Sequence, residues 1–105
     1  MVEYQVGEDR FGGIHLTLRG EMAGRLWAGR LGRAVRDHLG GGAPTVIHVD
    51  VSPLRFMDNF GVATLVALRR EFAGRGTRLL VEGARGQVRE KLRVAGVLRV
   101  LQEGD

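Results

Sequence analysis

Apolar and polar positions alternate strictly along IHLTLRG, with Ile14, Leu16 and Leu18 on one side and His15, Thr17 and Arg19 on the other. This period of two predicts a strand with one covered face and one wet face. The short run YQV before it is a candidate strand. From about Gly24 to Leu39 the period changes. Leu26, Trp27, Leu31, Ala34, Val35 and Leu39 recur at the spacing of one helical face. Trp27 is assigned to the core because it shares that stripe with Leu31 and Ala34. GGGAP then supplies three glycines and Pro44, which a helix interior tolerates poorly, and predicts a turn.

The second half repeats the alternation of periods. TVIHVDV is rich in β-branched residues and predicts a strand, ended by Ser52 and Pro53. After Asn59 a helix is expected, with Val62, Leu65, Val66, Arg69 and Phe72 along one stripe and an end at Gly74 or Gly76. RLLVEGA, short, apolar and bounded by glycines, is the next strand. GQVREKLRVAGV places Val88, Leu92 and Ala95 at helical spacing, and LRVL reads as one last short strand. Strands alternating with helices predict an α/β domain with a mixed or mostly parallel sheet. The wet face of IHLTLRG places the helices mainly on one side, because a strand covered on both faces would be apolar throughout.

Composition narrows this without changing it. A chain of 105 residues, 44% hydrophobic and 27% charged, is expected to form a single domain over residues 1–105 with its own core. Its apolar runs are too short to span a bilayer. MVEYQVGEDRF is acidic and polar where a secretory leader needs a basic start and an apolar stretch, which gives the expectation of a cytoplasmic protein. Cysteine is absent, which excludes disulfides, thiolate zinc sites and thiol catalysis. His15, His38 and His48 lie far apart in the chain without metal-ligand spacing, so neither metal nor cofactor is expected. The net charge of +4 comes almost wholly from Arg, Lys91 being the exception. Those charges are spread from Arg10 to Arg99 with few aromatics among them, unlike a nucleic-acid interface. The glycine-rich stretches lack the spacing of a phosphate-binding loop. With Ser52 the only serine and no evident pairing of acidic residues, an enzyme is not expected.

The junction FMDNFGV is the most informative stretch. Asp58 or Asn59 stands where a helix N-cap belongs, its side-chain oxygen able to accept from N–H groups of the first turn. A helix start also concentrates partial positive charge and unpaired donors. Gly61 suits close packing, and Phe60 suits either an interface anchor or the core.

TLRGEM, HVDVSPLRFMDNFGVATL and KLRVAGV, in this order and with these elements, resemble the STAS domain, specifically the anti-sigma factor antagonist type, over essentially the whole chain. The resemblance implies a βα sandwich with a four- to five-stranded mixed sheet and helices packed mainly on one side, working by binding rather than catalysis. The implied partner is an anti-sigma factor that is also a serine kinase. Its capture frees a sigma factor for RNA polymerase, and its kinase activity switches the antagonist off by phosphorylating the Ser or Thr directly after the helix-capping Asp. Here that position is Asn59, which has no hydroxyl. The next position, often hydroxylated in the family, is Phe60, and Ala23 follows GEM where an acidic residue is common. The resemblance therefore implies a partner-binding surface at Ala23, Asp58, Asn59, Phe60 and Gly61 without the usual phosphoswitch. Two roles fit this departure: an antagonist fixed in its unphosphorylated form, or a STAS subunit of a lipid-transport ATPase or other complex.

Overall fold

A computed structural model describes residues 2–25, 27–39 and 46–104. In chain order the elements are β1 (Val2–Glu8), β2 (Ile14–Met22), α1 (Ala28–Leu39), β3 (Val46–Asp50), β4 (Leu54–Met57), α2 (Asn59–Ala73), β5 (Arg78–Glu82), α3 (Gly86–Val94) and α4 (Leu98–Glu103). The five strands form one mixed sheet. β1 pairs antiparallel with β2, and the others pair in parallel. β2 is long enough to serve two partners on the same edge. Its first half, residues 14–17, pairs with β3, and its second half, residues 20–22, pairs with β4. β5 extends the sheet beyond β3.

The alternation in β2 is realised as expected. Ile14, Leu16, Leu18 and Met22 are buried, whereas His15, Arg19 and Glu21 are exposed. Ile47 and Val49 of β3 and Leu79 and Val81 of β5 join the buried face. Leu31 and Val35 of α1, Leu65, Leu68 and Phe72 of α2, Val88 and Leu92 of α3 and Leu101 of α4 close over it. This is a two-layer sandwich with the helices on one side. Trp27 is buried with that core.

Six details differ from the sequence reading. β1 is seven residues long, not three. α1 begins at Ala28 and not near Gly24, since Gly24 adopts φ +84°, a left-handed value outside the right-handed helical range. β4 is an additional strand after Ser52 and Pro53; its four residues are buried only at the two ends, so no alternation announced it. The buried face of α2 runs through Gly61, Thr64, Leu65, Leu68 and Phe72, with Val62, Val66 and Arg69 only half-buried. A count of apolar residues misplaces this face because it includes a glycine and a hydroxyl. LRVL is helical, not a strand: its apolar positions satisfy either period, and the turn at Gly96 (φ +78°) sends α4 across β5 with Leu101 in the core. Ala95, expected on the buried face of α3, is its exposed C-cap. Leu26 and the GGGAP turn lie outside the described residues.

Candidate partner-binding site

The chain leaves β4 and turns immediately into α2, and one carboxylate organises the corner. Asp58 has extended backbone angles and is the N-cap. Its Oδ1 accepts from the Gly61 N–H at 3.1 Å, and its Oδ2 accepts from the Gly24 N–H at 2.9 Å. The Asp58 N–H in turn donates to the Met22 carbonyl at 3.2 Å. Asp58 therefore closes the helix and holds the loop between β2 and α1 against it. Thr64, buried one turn further on, repeats the device. Its hydroxyl donates to the Phe60 carbonyl at 2.9 Å and accepts from the Trp27 N–H at 3.0 Å. The far side of the corner is fixed by Gln87 of α3, whose amide both accepts from the Met57 N–H and donates to the Met57 carbonyl, at 2.9 and 2.8 Å. That side chain takes the place of a neighbouring strand at the edge of β4.

Desolvation is the largest single influence on the Asp58 carboxyl and pushes its pKa up, but the backbone N–H groups of Gly24, Gly61 and Phe60 together outweigh it and hold the group below its ordinary 3.8. A folded-state pKa lowered in this way contributes stability above the ordinary value, and that contribution is lost as pH falls through the lowered one. Asp58→Ala is expected to cost about 0.5–2 kcal/mol at neutral pH, the usual worth of a cap. Thermal melts from neutral to acid pH check this, and the gap between parent and variant should shrink below the ordinary carboxylate range.

Asn59 and Phe60 occupy the first helical turn and point outward; Phe60 is 50% exposed. Asp58 and Ala23 are half-buried, at the rim of the same corner. Gly61, expected at the contact surface, is buried instead. A Cβ there would lie 2.6 Å from the Met22 carbonyl oxygen and 2.5 Å from Met57 Cγ, so its role is close approach of α2 to β2. Sequence reasoning did not single out Gly24, Thr64 or Gln87. Gly24 contributes only a backbone N–H, and the side chains of Thr64 and Gln87 are polar within a helix; none of these names a partner 34, 37 or 30 residues away.

The corner sets the Asp58 carboxylate against the positive end of a helix. No acidic residue lies in the first turn of α2, whose N–H groups carry the positive end of the helix dipole. The guanidinium groups of Arg25, on the loop that Asp58 and Thr64 tether, and of Arg30, in the first turn of α1, lie 5.8 and 5.0 Å from the centre of the Trp27 ring, within cation–π range. An exposed phenyl, a neutral amide and nearby arginines make a surface suited to docking another protein's apolar and acidic groups.

The family model described as Mlab, STAS domain, matches residues 9–103. The chain belongs to the STAS domain family. No curated protein sequence matches it. Among solved structures, an anti-sigma factor antagonist from Mycobacterium paratuberculosis is 21% identical with a TM-score of 0.75, covering 96% of this chain and 83% of that one. The anti-sigma factor antagonist SpoIIAA in its unphosphorylated form is 21% identical with a TM-score of 0.74, covering 92% and 84%. The STAS domain of a SulP transporter from Vibrio cholerae is 24% identical with a TM-score of 0.59, covering 80% and 66%. These likenesses share the fold, a mixed five-stranded sheet with helices over one face.

Proposed function

We propose that this domain is a non-catalytic binding module that docks a protein partner through the start of α2 and does so without a phosphoswitch. The observation that carries this reading is the exposed Asn59 directly after the capping Asp58, at the position where antagonists of this type carry a phosphorylatable hydroxyl. The nearest hydroxyl, on Thr64, is fully buried and engaged on both sides, so a kinase meets no acceptor at this corner. The implied partner is an anti-sigma factor with a serine-kinase fold, bound constitutively in the cytoplasm to regulate sigma-factor-dependent transcription. The domain acts there without direct contact to nucleic acid and without membrane insertion; no helix among the described residues is long and apolar enough to cross a membrane.

A second reading is favoured by a specific finding. The matching family model is described as Mlab and not as an antagonist, and a transporter STAS domain shares the fold. The lost hydroxyl then reflects service as the STAS subunit of a lipid-transport ATPase or a scaffold. Affinity isolation from native extract separates the two: a retained kinase-like ATP-binding protein supports the first, and a retained transporter ATPase supports the second. Both readings share one further expected result. Incubation with a family-type serine kinase and ATP adds no phosphate to residues 58–64, as read by intact mass and peptide mapping, and a phosphate mapped there would remove the unswitched reading.

A further inference from the structure

The face of the sheet opposite the helices gathers groups that the chain keeps far apart. In the parallel register of β2 and β3, His15 and His48 are direct partners. Their rings stack with centroids 4.9 Å apart and planes inclined by 17°. Asp9, in the hairpin between β1 and β2, stands beside them. Its Oδ1 accepts from the N–H groups of Phe11 and Gly13 at 2.8 and 2.9 Å, which leaves Oδ2 facing His15 Nε2 at 3.3 Å. On the other side, His48 Nδ1 lies 3.0 Å from Glu82 Oε2 of β5. In the tautomer that donates this bond, Nε2 of His48 keeps its lone pair.

We propose that Asp9, His15 and His48 form a binding site for a divalent transition cation of the zinc class, with Glu82 orienting His48. One ligand atom from each of the three lies within 4.8 Å of the others. Bonds of about 2.0–2.1 Å in tetrahedral geometry set ligand atoms roughly 3.4 Å apart. The Asp9–His15 separation already has that value, and binding requires one imidazole to turn out of the stack so that both lone pairs converge. Two imidazoles and one carboxylate suit zinc, nickel or copper, whereas calcium and magnesium require oxygen ligands throughout. The His48–Glu82 hydrogen bond is the outer-sphere arrangement that fixes a ligating imidazole's tautomer, and the Phe11 and Gly13 N–H groups do the same for the carboxylate. The three side chains are 31%, 46% and 24% exposed in chain order, so a fourth position is open to water. The separation of the histidines along the sequence, which argued against a metal, is cancelled by the strand register.

Zinc chloride titrated into the full chain near neutral pH, followed by calorimetry and by imidazole resonances, tests this. One equivalent is expected to bind, moving the resonances of His15 and His48 but not those of His38, which lies near Glu8 of β1. His15→Ala and His48→Ala should each lose the binding, and Glu82→Gln should weaken it about 10- to 100-fold. Melting in chelator reports whether each variant remains folded, and any that does not is replaced by His15→Gln or His48→Gln, which keep a polar side chain at the surface. No saturable binding, equal binding by the folded histidine variants, or equal movement of the His38 resonances would overturn the site. The stacked imidazoles would then be two neighbouring histidine–carboxylate contacts only.

Discussion

Gly61→Ala is expected to lower the stability of the domain by about 1–3 kcal/mol, the range for overpacking a close-fitting site, and Gly61→Leu by more. Helix propensity alone gives the opposite sign, since alanine exceeds glycine by roughly 1 kcal/mol in a helix interior. Geometry decides between the two effects. The new Cβ would lie 2.5 Å from Met57 Cγ, which can rotate away, and 2.6 Å from the Met22 carbonyl oxygen, which cannot. That carbonyl is backbone, already held by the Asp58 N–H, so relief requires α2 to move off β2 and carry the Asp58 and Thr64 tethers with it. For a domain of this size, each kcal/mol corresponds to about 4–8 °C in melting temperature. A thermal melt showing a more stable Gly61→Ala protein would mean that the corner has room the structure does not give it.

Asn59→Glu is expected to leave the fold intact and to weaken partner binding strongly. The side chain is exposed at the positive end of α2, where a carboxylate is favoured by roughly 0.3–1 kcal/mol. Melting temperature should stay level or rise slightly. In the complex the same carboxylate must be desolvated at a surface that accepted a neutral amide. An unpaired buried polar group costs about 1–3 kcal/mol and a charge more, which is a loss of tenfold to more than a hundredfold in affinity. Arg25 and Arg30 are positioned over the Trp27 ring and not by any contact with residue 59.

The fold was legible in the sequence wherever burial followed a single period. IHLTLRG alternates because its two faces meet different media, and it emerged as β2 with the predicted residues inside. The helix after Asn59 was visible, and Leu65 and Phe72 of its expected stripe are inside, but the rest of the inner face was not legible, because Gly61 and Thr64 are buried for close approach and for hydrogen bonding and not for apolarity. LRVL was ambiguous since four residues cannot distinguish a period of two from one of 3.6, and only the core contact of Leu101 decides it. At the candidate site the capping role of Asp58 could be read locally, since a cap acts within one turn. Its second bond, to Gly24, could not, nor could the meeting of His15 with His48, because both depend on how distant strands are registered. Asn59 and Phe60 were recognisable as a departure from a family pattern, whereas their exposure is a property of the folded corner.

A docking surface at the start of α2, as proposed, would make a charge placed there govern binding. Titration calorimetry of the parent chain and Asn59→Glu against the partner recovered from native extract measures it most directly, with melting curves of both proteins alongside. The expected result is equal or slightly higher stability for the variant and affinity weakened tenfold or more. A variant that melts like the parent and binds as tightly would contradict it and place the interface elsewhere on the domain.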